Sequence, residues 1–307
     1  MKIIIHASEG AHQREHAAAM ASGLARHGLA SELCAARAAR PCDVAVIWGF
    51  KPPEFIARLK TFGARILVME RGYFPDRMQW TSMGWDGLNN RAVFPQRGPQ
   101  VPGAGSLGTD FDGGARFRAH WPGLLQPWQD NSQGHALVCG QVPGDAAVHG
   151  VNLDAWAQDA VTQLRERQSP DWRIVYRPHP YLIRNGRAVN CPHGAELSTK
   201  ATLAEDLRGA RLCVTYNSNS GVEAVCAGIP TVTTDEGAMA WPVAVHSIQE
   251  FITSPLRHSA TPDRLSWAHQ LAWRQWRLEE IASGAAWEAL KHAMPGLKET
   301  GEKLAAA

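Results

Sequence analysis

Arg211-Leu212-Cys213-Val214-Thr215-Tyr216-Asn217-Ser218-Asn219-Ser220-Gly221-Val222-Glu223-Ala224 decides how this chain is read. Its first six residues form an apolar run with the length and β-branched content of a buried strand. Small amide and hydroxyl residues then make a tight turn. A helix follows from about Asn219 to Ala227, stopped by Gly228, and Pro230 to Thr234 is the next strand. Strands without apolar/polar alternation, separated by helices, are buried on both faces and belong to a parallel sheet.

The same grammar extends in both directions. Upstream come a strand His135–Gly140, a helix from about Asn152 to Arg167, a strand Arg173–Tyr176 and a short helix Thr202–Leu207. The N-terminal part repeats it with strands Ile3–His6, Ser31–Cys34, Asp43–Gly49 and Arg65–Glu70, and with helices Ala11–His27 and Pro53–Thr61. A chain of 307 residues suits two domains of about 150 residues each. The expected fold class is α/β, two Rossmann-like domains facing a cleft, with ligands beyond the carboxyl ends of the strands. The boundaries expected are 1–134 and 135–302. The first domain includes a long irregular segment, 72–134, rich in glycine, proline and aromatic residues. Residues 303–307 read as a vector scar. Two helical segments, about Pro262–Leu278 and Leu278–Lys291, are expected to pack across both domains, pinned by Trp267, Trp273, Trp276 and Trp287.

Composition excludes several classes. With 45% hydrophobic and 20% charged residues the chain is not disordered, and a net charge of +2 announces no global nucleic-acid field. The six cysteines show no CxxC spacing and read as reduced structural thiols. No run approaches the ~18 apolar residues of a membrane span, and the N-terminus reads as a strand, so a cytoplasmic location is expected.

Three segments carry chemistry. The turn Tyr216 to Ser220 aims backbone N–H groups and the start of a helix at one spot, a geometry suited to phosphate, and Ser218, Asn219 and Ser220 add side-chain donors. An ordinary N-cap has the same composition. Glu223, one turn into that helix, suits the dipole or a ribose hydroxyl. Arg177-Pro178-His179-Pro180 follows a strand directly, on a loop whose prolines deny it helix. Arg177 can fork onto phosphate oxygens, and His179 can donate to a phosphate or a leaving oxygen.

The strand-ending Arg-Pro-His-Pro, the downstream Tyr-Asn-Ser-Asn-Ser-Gly-Val-Glu-Ala and the Ala-Gly-Ile-Pro-Thr-Val that follows resemble the C-terminal half of GT-B glycosyltransferases of capsular-polysaccharide type, such as the Kdo transferases. Bacterial sialyltransferases carry comparable His-Pro and Ser-rich motifs. The resemblance covers mainly residues 135 to 240. It implies that His179, Ser218 and Ser220 hold the nucleotide and phosphate of an activated sugar donor, UDP- or CMP-linked, with no obligatory metal or other cofactor.

The third segment, Glu70-Arg71-Gly72-Tyr73-Phe74-Pro75-Asp76-Arg77 with Ser82-Met83-Gly84-Trp85-Asp86, resembles the acceptor side of the same transferases, although Arg71 stands where an acidic residue is expected. Transfer to a hydroxyl needs a group to take its proton, and Glu70, Asp76 and Asp86 are the candidates. Each can equally be a turn former or an ion-pair partner of Arg71 or Arg77. His6, at the end of the first strand, Arg71, Tyr73 and Trp85 are assigned to the acceptor side.

The acceptor expected is a saccharide or glycoconjugate. Its rival is a hydroxymethylated base in phage-type DNA, served by Arg71, Arg77, Arg91, Arg97, Arg116 and Arg118 with Tyr73, Phe74, Trp80 and Trp85 for stacking. A nucleotide-sugar epimerase and a non-catalytic nucleotide-binding protein are the remaining alternatives. Asp110-Phe111-Asp112 has a metal-binding spacing but sits among glycines and reads as a turn. His12 and His16 read as a solvent-facing pair on a helix.

Overall fold

The computed structural model describes residues 1–7, 10–35, 38–49, 52–95, 114–167, 172–253 and 264–296. The Asp110–Asp112 spacing, Arg97 and the 303–307 tail lie outside the described residues. The chain forms two compact units: residues 1–116 with 269–307, and residues 117–268. The division therefore falls at Arg116/Phe117, where position 134 was expected, and the chain's end returns to the first unit.

The first unit carries β1 (Ile3–Ala7), α1 (Ala11–Arg26), β2 (Ser31–Ala35), β3 (Val44–Trp48), α2 (Pro53–Thr61), β4 (Arg65–Arg71), β5 (Thr81–Trp85) and, from the chain's end, a short strand Gln275–Trp276. The strand order is β2-β1-β3-β4-β5 followed by Gln275–Trp276. The β2, β1, β3 and β4 pairings are parallel, whereas β5 runs antiparallel to β4 and Gln275–Trp276 antiparallel to β5.

Alternation along the strands divides the core into two layers. Ile3, Ile5, Val44, Val46, Leu67 and Met69 pack with Met20 and Leu24 of α1 and with Trp276, Ile281, Trp287 and Leu290 from the chain's end. Ile4, Ala45, Ile47, Ile66 and Val68 pack with Ile56 and Leu59 of α2. The helices Leu278–Ala282 and Ala285–Lys291 thus belong to the first unit, while Trp267 lies in the second, where its indole N–H donates to the Met239 carbonyl.

The second unit carries α3 (Ala115–His120) across its boundary, then β6 (His135–Cys139), α4 (Leu153–Arg167), β7 (Ile174–Arg177), α5 (Pro180–Arg184), β8 (Glu196–Leu197), α6 (Leu203–Leu207), β9 (Ala210–Thr215), α7 (Ser220–Cys226), β10 (Thr231–Thr233) and α8 (Ile248–Thr253). Its sheet is parallel throughout, ordered β8-β7-β6-β9-β10. Counted from the first strand, that is the 3-2-1-4-5 order of a Rossmann unit, whose switch point lies between β6 and β9. Gly228 ends α7 as expected: its φ is +74°, and a Cβ there would lie 2.0 Å from the Pro127 carbonyl oxygen. The cysteines among the described residues are free thiols. No helix of the described residues is long and apolar enough to cross a membrane.

The interaction that fastens the chain's end to the first sheet is centred on Arg116. Its guanidinium donates to the Ala272 and Gln275 carbonyls and forks onto both Glu280 oxygens at 2.5 and 2.7 Å. It also lies 4.6 to 5.4 Å from the ring centroids of Trp273, Trp276 and Trp80. A planar fork inside an aromatic box is a task for arginine and not for lysine. Arg116→Met is expected to take from Glu280 its cation and from two carbonyls a donor, and to cost about 3 kcal/mol, measured as a lowered urea midpoint. A variant as stable as the wild type would show that the helices hold without this pair.

Candidate active site

Three strand ends of the second sheet converge on the serine turn. Asn217, buried at the end of β9, exchanges two hydrogen bonds with Gln141, which follows β6: the Asn217 N–H donates to Gln141 Oε1 at 2.9 Å, and Gln141 Nε2 donates to Asn217 Oδ1 at 2.8 Å. Asn217 Nδ2 donates further to the Ala147 carbonyl and to Asp235 Oδ1 after β10. Asp235 Oδ1 also accepts the Gly237 N–H at 3.0 Å. The turn is therefore held by side chains from three strand ends, at the switch point where such sheets bind ligands. Neither Gln141 nor Asp235 was among the expected site residues. Gln141, directly after the strand and Gly140, was the signal available in the sequence.

Within the turn, Ser218 Oγ accepts the Ser220 N–H at 3.2 Å and the Ser218 carbonyl accepts the Gly221 N–H at 3.1 Å. Asn219 is the N-cap residue of α7 in helical backbone conformation, and its side chain makes no cap. Its amide donates instead to Glu223 Oε1 at 3.3 Å, which joins those two expected donor-binding residues. Ser220 Oγ is buried and makes no protein hydrogen bond. A buried hydroxyl without a partner costs about 1–3 kcal/mol. Gly221 closes the turn tightly: a Cβ there would lie 3.2 Å from Thr215 Cγ2.

His179 follows β7 as the N-cap of α5, with Pro180 in the first turn. The sequence expectation that these prolines exclude helix is corrected here, because proline at the first helical position forfeits no hydrogen bond. The Tyr181 N–H donates to His179 Nδ1 at 3.2 Å, which puts the proton of the neutral ring on Nε2 and makes that nitrogen a donor.

Arg177 takes a different role from the one expected. Its guanidinium is bonded to Asp206 Oδ2 and to the carbonyls of Lys200 and Ala201, and both ionic side chains are nearly buried. Asp206 also accepts from the Ser198 hydroxyl. Arg177 thus anchors the segment from Ser198 to Asp206, its fork already committed to protein oxygens.

In the first unit the carboxyl edge of the parallel strands presents His6 and Ala7 of β1, Trp48 of β3 and Gly49 after it, and Glu70 and Arg71 of β4. Glu70 is partly exposed, and its Oε1 accepts the Arg71 N–H at 2.9 Å. Its Oε2 lies over Gly49, 3.5 Å from where a Cβ would stand. Arg71 is exposed. His6 is buried with its ring edge-on to Phe55 at 5.2 Å, in the layer of α2. His16 is buried as well, so the His12/His16 pair is not solvent-facing as expected. Burial holds the His16 imidazole below its ordinary pKa.

The other expected acceptor residues are placed elsewhere. Because β5 is antiparallel to β4, with Leu67 opposite Trp85, Asp86 emerges at the opposite, amino edge. There Oδ1 accepts the Ile66 N–H and Oδ2 lies 3.6 Å from Arg65. Trp85 is wholly buried, its indole N–H donating to the Leu290 carbonyl. Tyr73 is buried too: its backbone N–H donates to Gln275 Oε1, and burial pushes its hydroxyl up to about 12. Asp76 is an exposed turn residue with φ of +60°, and Arg77 Nε closes the same loop onto the Gly72 carbonyl. Of the three carboxylates, Glu70 alone stands at the edge where the parallel strands end.

Comparison with known proteins agrees with this architecture. No family model matches the chain. The protein FixF of Sinorhizobium fredii is 26% identical over 199 residues, 62% of this chain and 47% of that protein, so the match spans less than half of the relative. The solved β-Kdo 2,4-transferase of KpsC from Thermosulfurimonas dismutans superposes with a TM-score of 0.57 over 88% of this chain and 90% of its own, at 13% identity. The β-Kdo 2,7-transferase of the same KpsC gives 0.48 over 93% and 99%. The fold is the GT-B glycosyltransferase fold.

If Arg177 is an anchor, Arg177→Met should strand Asp206 in a buried site and cost about 3–5 kcal/mol in a denaturant melt. Any nucleotide binding by the folded wild type should be kept by the folded fraction of this variant. A variant that melts like the wild type but loses nucleotide binding would return Arg177 to the phosphate ligands.

Proposed function

We propose that the chain is a glycosyltransferase that takes a sugar from a nucleotide-activated donor, UDP- or CMP-linked, and delivers it to a saccharide hydroxyl. One observation carries this reading: the serine turn and the start of α5 stand on one edge of a Rossmann sheet of the GT-B fold, with the turn at its switch point. The second unit would hold the donor. The His179 Nε2–H and the Ser218 and Ser220 hydroxyls would donate to phosphate oxygens, and Glu223 or Asn219 would meet the ribose. Donors aimed at the departing phosphate stabilise charge as it develops, the term that usually dominates such catalysis. The neutral donor set replaces a metal at this site.

The first unit would hold the acceptor, with Glu70 as the base that takes the hydroxyl proton. Arg71, exposed beside it, can pair with an anionic acceptor group. A DNA acceptor has less support. Tyr73, Phe74, Trp80 and Trp85, the residues proposed to stack on bases, are all buried. Arg116 is enclosed by tryptophans and Glu280, and Arg77 is tied to a loop carbonyl. A cytoplasmic site of action belongs to the same proposal.

A thermal-shift series with UDP, CMP, GDP, ADP and dTDP, with and without EDTA, tests the donor site. The matching nucleotide at 100 times its dissociation constant should add about 2.7 kcal/mol, insensitive to EDTA and lost in His179→Ala. No stabilisation by any nucleotide would reduce the two turns to ordinary caps and sink the reading. Glu70→Gln should keep nucleotide binding and lose transfer by about 100-fold or more; unchanged turnover would remove Glu70 as the base.

A further inference from the structure

The first sheet has its own switch point. In the order β2-β1-β3-β4 the reversal lies between β1 and β3, and ligands of open parallel sheets bind beyond that crevice. The first turns of α1 follow β1 there, and Trp48 ends β3. His12, Glu15 and His16 stand on those turns, their ligand atoms all within 4.8 Å of one another. Spacings of three and four residues put them on one helix face.

Two observations separate this group from a chance surface cluster. His16 is only 4% exposed, and its Nδ1 lies 2.8 Å from the His12 carbonyl oxygen. With Nδ1–H donating to that carbonyl, the lone pair is on Nε2, the arrangement in which protein imidazoles bind metal. The two rings are 4.1 Å apart, and each meets Trp48 edge-on, at 5.0 and 4.9 Å. The indole packs against both rings and limits their rotation.

We propose that His12, Glu15 and His16 bind one divalent transition-metal ion of the zinc, cobalt or nickel class. Two imidazole nitrogens and one carboxylate oxygen suit such an ion better than magnesium or calcium, which select all-oxygen sites. Three protein ligands leave at least one coordination position open, taken by water or by an oxygen of a bound molecule. On the acceptor reading of this unit that molecule is the acceptor; the ion's binding stands without that reading.

The test is a cobalt(II) titration of the full, tag-free chain after chelator treatment, with no nucleotide present. One equivalent should give the visible absorption of a low-coordinate cobalt site, displaced by zinc. Removing His16 confounds folding with binding because the ring is buried, so His12→Ala and Glu15→Gln carry the test. Both should melt as the wild type does in the metal-free state and weaken cobalt binding by about tenfold or more. A spectrum of the hydrated ion alone, or wild-type affinity in both variants, would overturn the proposal. Either result leaves the nucleotide-binding test of the donor site unaffected, so the two readings fail separately.

Discussion

The first unit depends on one buried cation. Arg116 donates to two carbonyls of the returning chain and to Glu280, and three tryptophan rings enclose it. Desolvating a guanidinium is expensive unless every donor is used and the charge is paired. Here the charge is paired with the carboxylate at 2.5 and 2.7 Å, and all three guanidinium nitrogens donate. That arrangement fixes residues 272 to 280, and with them the strand Gln275–Trp276 against β5. Gln275 in turn accepts the Tyr73 N–H, and Gly72 exists because a Cβ there would fall 2.7 Å from Gln275 Oε1. The Glu70-Arg71-Gly72-Tyr73 segment is thus split between tasks. Glycine and tyrosine serve the core, and the two charged residues before them reach the sheet edge.

The second unit is organised around a neutral amide. Asn217 uses its N–H, its carbonyl and its amide on Gln141, Ala147 and Asp235, so its polar groups are satisfied although it is buried. Satisfied networks of this kind rigidify a turn, whereas a half-satisfied one would weaken it. The consequence is a serine turn whose backbone is set before any ligand arrives. A preorganised donor set spends no binding energy on ordering itself.

The parallel strands were legible because burial on both faces makes them continuous apolar runs, as in Ile3–His6, Val44–Ile47 and Leu212–Thr215. The serine turn and His179 were legible because glycine, proline and small hydroxyl residues cluster at strand ends. What escaped was structure specified from far away. Thr81-Ser82-Met83-Gly84-Trp85 has neither alternation nor a β-branched run, and becomes β5 only between β4 and the chain's end. Missing its antiparallel sense put Asp86 and Trp85 on the wrong edge. The engagement of Arg177 escaped for a similar reason: its partner Asp206 lies 29 residues on, inside the short helix α6. A strand-ending arginine looks the same in sequence whether it meets a phosphate or a buried carboxylate.

The two sheets place chemistry by the same rule but fill it differently. In each, the first strand lies where the order reverses, so the loop after it and the loop after its later neighbour splay apart. In the second sheet that gap is lined by the Asn217 and Gln141 amides and the serine hydroxyls, with the Asp235 carboxylate engaged by Asn217 Nδ2 and the Gly237 N–H. In the first it is lined by imidazoles, an indole and a nearby carboxylate on β4, groups that accept protons or donate electron pairs. The proposed transfer of an electrophilic sugar to a hydroxyl would use this division. In that proposal one site would stabilise negative charge on the leaving group, and the other would hold a nucleophile and take its proton.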